Sequence, residues 1–168
     1  IMEFGATQCR PKNPDCMFCP FQDSCVAYNK GKIDELPVKL KKLKVKQRYF
    51  NFLVFLSEDN KTILEKREGK GIWQNLYQFP LIETDNNMAY KNFLKLAKAH
   101  VAVKDKDFQL HQYNDTPKVH KLSHQHLNTR FWIVSIDEVE QGIPFEKIID
   151  YPVLILIGNF IEEFSFEY

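Results

Sequence analysis

The sequence predicts an α+β fold in which a mixed or antiparallel sheet is flanked by helices and preceded by a small cysteine-rich loop. Segments rich in aromatic and β-branched residues, separated by turn residues, dominate the chain after position 48, as in YFNFLVFLS at 49–57. Apolar residues with helical spacing occur between them, at 87–99. All four cysteines of the 168 residues lie between positions 9 and 25, outside this pattern.

The elements of the first half follow from local patterns. Residues 1–8 predict the last turns of a helix that ends near Gly5, because glycine commonly follows a helix C-terminus. The strand at 49–57 is expected to turn at EDNK and to return over 62–68 as a β-hairpin. The helix at 87–99 is expected to pack one apolar face inward, formed by Tyr90, Phe93, Leu94 and Ala97.

The second half is expected to add three strands and a helix. DFQLHQYN at 107–114 predicts one strand, and the segment 118–139 predicts two strands around a turn at 122–124. Asp150 and Pro152 predict the start of a short C-terminal helix, with the proline in its first turn.

Composition excludes several classes of protein. The chain is 44% hydrophobic and 27% charged, as in an ordinary soluble globular protein. No apolar run approaches the roughly 20 residues that cross a bilayer, and residues 1–25 contain no apolar signal-peptide region. We therefore expect an intracellular protein without a membrane partner. Because the chain begins with Ile1 rather than methionine, we also expect it to be a portion of a longer protein.

Charge is unevenly distributed although the formal net charge is only +1. VKLKKLKVKQR at 38–48 contains six basic residues and no acidic one, whereas 137–168 contains eight acidic residues and one lysine. The basic run lies in a segment without a sustained apolar period, which predicts a linker over 28–46 between residues 1–27 and a domain over 47–168. A run of this kind is either a solvated linker or a contact with a polyanion, and both interpretations remain open.

The cysteines follow the spacing C-x6-C-x2-C-x5-C, through Cys9, Cys16, Cys19 and Cys25. Four thiols in a short intracellular segment favour a metal site over disulfides. Structural zinc usually takes two C-x2-C pairs, whereas a single pair flanked by unequal gaps suits an iron–sulfur cubane, so iron–sulfur and zinc both remain candidates. Arg10 and Lys12 lie between the first two ligands, where a rigid basic loop could bind a phosphate group.

The segments IMEFGATQC and CPFQDSC resemble the cluster loop of the endonuclease III and MutY DNA glycosylases. The resemblance implies that the four cysteines hold a [4Fe–4S] cluster and that residues 1–27 close the catalytic domain of such an enzyme. The glutamate and aspartate that the family uses for catalysis lie upstream of the cluster. The resemblance therefore assigns no catalytic residue to this chain, which is expected to be inactive as a glycosylase on its own.

The remainder resembles the C-terminal domain of MutY, which is shaped like the MutT (Nudix) pyrophosphohydrolases; the segment GIWQNLYQFP at 71–80 carries this likeness. HKLSHQHL at 120–127 resembles the MutY loop that reads 8-oxoguanine, with Leu122, Ser123 and His124 at the matching positions. A serine hydroxyl can accept from the N7–H of the lesion or donate to its O8, which guanine does not offer. Leu122 departs from the phenylalanine usual in the family and lacks an aromatic face for stacking.

The resemblance implies a bacterial, cytoplasmic protein associated with the nucleoid through its DNA partner. That partner is duplex DNA containing 8-oxoguanine opposite adenine, the substrate of an adenine DNA glycosylase in base excision repair. Within this framework the basic run, and in it Lys41, Lys42 and Lys44, is expected to bind phosphates.

Two alternatives belong to other classes of function. A Nudix-type nucleotide pyrophosphohydrolase needs clustered carboxylates to hold magnesium, and the helical segment AYKNFLKLAKAH contains no acidic residue. A protein-interaction domain remains the other alternative. Trp73 and Phe79 are interpreted as core residues rather than ligand-binding ones.

Overall fold

The computed structural model describes residues 2–10, 12–36, 38, 44–104 and 106–164. The chain divides into two compact units, Ile1–Leu43 and Lys44–Tyr168. Within the described residues, no helix has the length and apolar character needed to cross a bilayer.

The first unit contains two short helices, α1 (Met2–Thr7) and α2 (Val26–Asn29). The predicted helix end near Gly5 was wrong, because α1 continues through Gly5 to Thr7. The Thr7 hydroxyl donates to the Glu3 carbonyl at 2.8 Å, and the Gln8 amide donates to the Phe4 carbonyl at 2.9 Å. Donors that follow Gly5 thus bond to carbonyls that precede it, so the hydrogen bonding of the helix continues across the glycine.

The described residues of the second unit form nine strands, some of only two residues. They are β1 Lys46–Ser57, β2 Lys61–Thr62, β3 Glu65–Lys66, β4 Tyr77–Gln78, β5 Leu81–Thr84, β6 Phe108–Gln112, β7 Lys118–Lys121, β8 Gln125–Ile136 and β9 Ile143–Pro144. The central sheet has the order β5-β1-β8-β6, and β7 also pairs with β8. Strands β1 and β8 are parallel over their whole lengths, and the other pairs in this sheet are antiparallel. The predicted mixed sheet is confirmed.

The predicted hairpin between 49–57 and 62–68 was wrong. The neighbours of β1 are β5 and β8, while β2 pairs with β9 and β3 pairs with β4. From Phe50 to Ser57 every residue of β1 is buried, so this strand needs apolar cover on both faces and an apolar partner at its edge. The segment after the turn is interrupted by the exposed Glu65 and Lys66, which a central position would desolvate.

The predicted elements of the second half are largely confirmed. Helix α3 (Tyr90–Lys98) buries Phe93 and Ala97, and β6, β7 and β8 lie where the patterns placed them. Helix α4 (Ile155–Glu163) begins after Pro152, so the prediction that the proline lies in its first turn was wrong. The Pro152 carbonyl instead accepts from the Tyr77 amide at 2.9 Å, and Val153 forms a β-bridge with Tyr77, which keeps this segment extended.

The core lies on both faces of the sheet, as the period-two alternation of strand side chains requires. On the α4 side, Phe131 stacks on Phe160 with ring centroids 4.3 Å apart. On the α3 side, Trp132 stacks on Phe93 at 4.2 Å. Phe79 is fully buried on the α4 side, as predicted, whereas Trp73 is only partly buried against the same core.

Candidate nucleic-acid interface

The turn between β7 and β8, here called the recognition loop (Leu122–His124), is closed by a backbone hydrogen bond. The Leu122 amide donates to the Gln125 carbonyl at 2.8 Å. Leu122 is half-buried and packs against the core on the α4 side, whereas Ser123 and His124 are exposed. Ser123 Oγ lies 3.2 Å from His124 Nδ1. The loop is thus anchored by its leucine and presents a hydroxyl and an imidazole to solvent.

The parallel pairing of β1 with β8 brings the start of β1 beside this loop. Lys46 is in register with Gln125, and its amide donates to the His124 carbonyl at 3.0 Å. Both Lys44 and Lys46 are exposed. The described end of the basic run therefore leads directly to the recognition loop. Lys41 and Lys42, the other predicted phosphate contacts of the run, lie outside the described residues.

Arg48 connects the same end of the sheet to β5. Its Nε and Nη2 donate to the two carboxylate oxygens of Glu83, each at 2.6 Å, and its Nη1 donates to Gln125 Oε1 at 3.3 Å. Its guanidinium carbon also lies 4.8 Å from the centroid of the Phe50 ring. The hydrogen bonds from Arg48 hold the pKa of the Glu83 carboxyl below its ordinary value and raise the pKa of Arg48. Sequence reasoning missed this group; the only local signal was an isolated glutamate in the strand LIET.

A second guanidinium lies in the same electrostatic environment. Arg67 Nη1 donates to Gln78 Oε1 at 2.6 Å. Burial lowers the pKa of Arg67, the positive charge of Arg48 lowers it further, and Glu83 opposes both effects. With Arg48, Arg67 and Lys46 around a single carboxylate, this end of the sheet is electropositive, which favours an anionic partner.

On the α3 side of the same edge, three polar side chains form a row. Gln47 Nε2 lies 3.4 Å from His126 Nδ1, and Asn128 Nδ2 donates to Gln47 Oε1 at 3.1 Å. The amide groups of this row offer hydrogen-bond donors next to the recognition loop, as contacts with phosphate or sugar oxygens require.

Trp73 braces the hairpin that carries the recognition loop. Its ring centroid lies 5.6 Å from that of His120 on β7. The backbone of Trp73 has φ +60°, a left-handed conformation that is costly for a bulky residue. Trp73 thus combines a strained backbone with a ring contact to β7.

The first unit carries the four cysteines as free thiols, with Cys9 exposed and the others partly exposed. Their turns are held by backbone bonds, from the Cys19 amide to the Cys16 carbonyl at 3.3 Å and from the Cys25 amide to the Gln22 carbonyl at 3.1 Å. Partial burial raises the pKa of the Cys16 thiol, and so do the neighbouring thiols of Cys19, Cys25 and Cys9. The sulfurs of Cys9, Cys19 and Cys25 therefore each lie within electrostatic range of Cys16.

Among the described residues, no three His, Cys, Asp or Glu side chains converge closely enough to hold one metal ion. Arg10 and Lys12, the predicted phosphate contacts between the first two cysteines, are both exposed.

The residues of α3 do not fit a Nudix-type magnesium site. The helix reads YKNFLKLAK, and its first turn carries no acidic residue. Its charged side chains are lysines, which repel a divalent cation. The hydrolase alternative thus lacks carboxylate ligands on the helix where the sequence analysis looked for them.

The NUDIX domain profile matches residues 51–162. An adenine DNA glycosylase from Buchnera aphidicola subsp. Schizaphis graminum is 34% identical over 124 residues, which is 74% of this chain and 33% of the relative. A second, from Buchnera aphidicola subsp. Baizongia pistaciae, is 28% identical over 80% of this chain and 36% of its own length. The chain thus spans about a third of the length of these relatives.

The fold is also that of a solved structure, the C-terminal domain of mouse MUTYH in its complex with human PCNA. The TM-score is 0.52 at 12% identity, over 68% of this chain and 85% of that one. The NUDIX profile matches residues 51–162, which is more than half of the chain, and the chain therefore belongs to the NUDIX domain family.

Proposed function

We propose that this chain is the lesion-recognition portion of an adenine DNA glycosylase that removes adenine opposite 8-oxoguanine in base excision repair. The observation that carries the proposal is the recognition loop, which exposes Ser123 and His124 at an electropositive sheet end while Leu122 anchors it. Ser123 would accept from the N7–H of the lesion or donate to its O8, and His124 would contact a neighbouring phosphate. The similarity to adenine DNA glycosylases over 74% of the chain supports this assignment.

The first unit would hold a [4Fe–4S] cluster through Cys9, Cys16, Cys19 and Cys25. The cluster would supply a rigid link that orders the loop containing Arg10 and Lys12, so that both side chains can meet the DNA backbone. Lys41, Lys42 and Lys44 would add phosphate contacts from the basic run. No residue here is assigned to cleavage of the N-glycosidic bond, so the chain would bind the duplex without releasing adenine. It would act in the bacterial cytoplasm, on the nucleoid.

The test is an equilibrium titration of the 168-residue chain with two duplexes that differ only in 8-oxoguanine or guanine opposite adenine. We expect tighter binding to the lesion duplex, and a loss of about tenfold in that preference in Ser123→Ala, because one specific hydrogen bond is removed. Ser135→Ala is the matched control: it removes the same hydroxyl at the opposite end of β8 and should leave the preference unchanged.

Equal affinity for both duplexes in the wild-type chain would refute lesion recognition by this portion. An unchanged preference in Ser123→Ala would mean that another group reads the lesion. Release of free adenine by the pure chain would contradict the assignment of catalysis to residues outside it.

A further inference from the structure

We propose that Arg48, Glu83 and Gln125 form a positioning network that sets the conformation of the recognition loop and, through it, the preference for the lesion. The second half of this statement rests on the proposed function of the loop, whereas the first half concerns the order of the loop alone. None of the three residues needs to touch the DNA.

The first element of the network is the fork between Arg48 and Glu83. Two parallel hydrogen bonds of 2.6 Å fix the plane of the guanidinium, and the Phe50 ring beneath it restricts the arginine further. The side chain of Arg48 is only 20% exposed and that of Glu83 is 40% exposed. A planar, bidentate pair of this kind has one geometry, which a lysine cannot reproduce.

The second element is the link from the fork to the loop. The remaining arm of Arg48 donates to Gln125 Oε1 at 3.3 Å, and Gln125 is only 6% exposed. Gln125 directly follows His124, and its backbone carbonyl accepts the bond from the Leu122 amide that closes the loop. Fixing the side chain of Gln125 therefore fixes the residue on which the loop closes.

The geometry favours positioning over a direct phosphate contact. All three nitrogens of the Arg48 guanidinium donate to protein groups, and Glu83 offsets its charge. Three of its five N–H groups are thus engaged and its charge is offset, whereas exposed lysines with no such partner carboxylate in this group lie beside the loop at Lys44 and Lys46. The exposed lysines are therefore the groups available for a phosphate contact, and Arg48 fixes the conformation of the recognition loop.

The experiment uses the 168-residue chain and the variants Glu83→Gln and Arg48→Lys. Glu83→Gln keeps the size of the side chain but removes the charge of the fork, and Arg48→Lys keeps the charge but removes the planar fork. Glu140→Gln is the matched control, because it removes the same charge from the exposed ion pair with Lys106. The two readouts are amide hydrogen exchange and the ratio of affinities for the 8-oxoguanine and guanine duplexes.

We expect the Leu122 and Lys46 amides, which donate to the Gln125 and His124 carbonyls, to exchange about fivefold faster in both network variants. The Leu53 amide, bonded to the Pro80 carbonyl at 2.8 Å in the sheet, should be unchanged and reports that the variants are folded. The affinity ratio should fall by about fivefold in both variants, with no change in Glu140→Gln.

The direction in which Glu83→Gln changes the affinity for DNA distinguishes positioning of the recognition loop from direct contact with a phosphate. Removal of a carboxylate near DNA should leave the affinity for undamaged duplex unchanged or raise it. A loss of lesion preference that is not accompanied by a loss of affinity for undamaged duplex therefore supports positioning. Unchanged exchange of Leu122 and Lys46 in both variants overturns the network. If the wild-type chain shows no lesion preference, the proposed function fails, and the exchange rates alone decide whether the network orders the loop.

Discussion

The two units of the chain differ in what is available to stabilise them. Among the described residues of the first unit, no side chain is buried, and the large apolar side chains of Met17 and Phe18 are 77% and 81% exposed. The second unit covers both faces of its sheet with apolar side chains, including Trp132 and Phe160, which are fully buried. A segment without a core of its own needs a further source of order, such as a metal, a covalent link or contacts with another domain, whereas a two-sided core suffices for a domain of this size.

Removal of the proposed cluster should have the largest effect, and it should be confined to the first unit. After anaerobic reconstitution with iron and sulfide, we expect the wild-type chain to protect the Cys19 and Cys25 amides from exchange, and Cys16→Ser to lose that protection along with the visible absorption of the cluster. Ser24→Ala, in the same loop, should behave as wild type. The thermal midpoint of the second unit should not move in either variant.

Two results would contradict the expectation that an iron–sulfur cluster orders the first unit. Equal protection with and without iron would mean that the first unit folds without a cofactor. Tight binding of one zinc ion per chain in preference to iron and sulfide would identify a zinc site instead.

Truncation of the core should have the next largest effect, and it should be similar on the two sides of the sheet. Phe160→Ala and Phe93→Ala each remove a fully buried ring that stacks on β8, and each should lower the free energy of unfolding of the second unit by about 3–5 kcal/mol. Ile149→Ala, at a side chain that is 83% exposed, should change it by less than about 0.5 kcal/mol. Urea unfolding measures all three, and a small effect of either phenylalanine would show that its side of the sheet contributes little.

The elements of the second unit were readable from the sequence because the patterns that specify them are local. The apolar run from Phe52 to Leu56 indicated a buried strand, and the spacing of Phe93 and Ala97 indicated a helix face. The strands that pair with β1 could not be predicted from the sequence. Phe50 lies opposite Thr129 in the sheet, and no local pattern encodes a contact between residues so far apart in the chain.

The same distinction applies to the site. The turn at Leu122–His124 lies within one short segment and was predicted. The network behind it brings together Arg48, Glu83 and Gln125, which belong to β1, β5 and β8 and are 35 and 77 positions apart in the hydrogen bonds they form. Each of the three looks like an ordinary surface residue in the sequence, so only the sheet order reveals that they meet.

The buried polar side chain of Asn51 tests whether apolar burial alone stabilises the second unit. Asn51 is 3% exposed, accepts from Trp132 Nε1 at 3.1 Å and donates to Thr84 Oγ1 at 3.2 Å. Asn51→Ala should lower the free energy of unfolding by about 1–3 kcal/mol, because the indole N–H is left buried without a partner. Trp132→Phe in the Asn51→Ala background should recover part of this loss relative to the sum of the single changes. Strict additivity in this double-mutant cycle would show that the two side chains are not coupled.

The smallest effect should be a dependence of the second unit on pH through His100. Its Nδ1 accepts from the Ala102 amide at 3.3 Å, and its ring lies 5.7 Å from that of Phe55. Burial lowers the pKa of His100, with Glu65 opposing the shift, so the folded state binds the proton less readily than the unfolded state. Stability is therefore fully present above the unfolded pKa of about 6.5 and declines as pH falls from there towards the folded value.

His100→Asn keeps a side-chain acceptor for the cap but cannot titrate, so its unfolding free energy should fall less than that of wild type between about pH 7.5 and about pH 5.5. Parallel curves for the two proteins would mean that His100 does not contribute, and that the acid sensitivity of this unit arises from other ionisable groups.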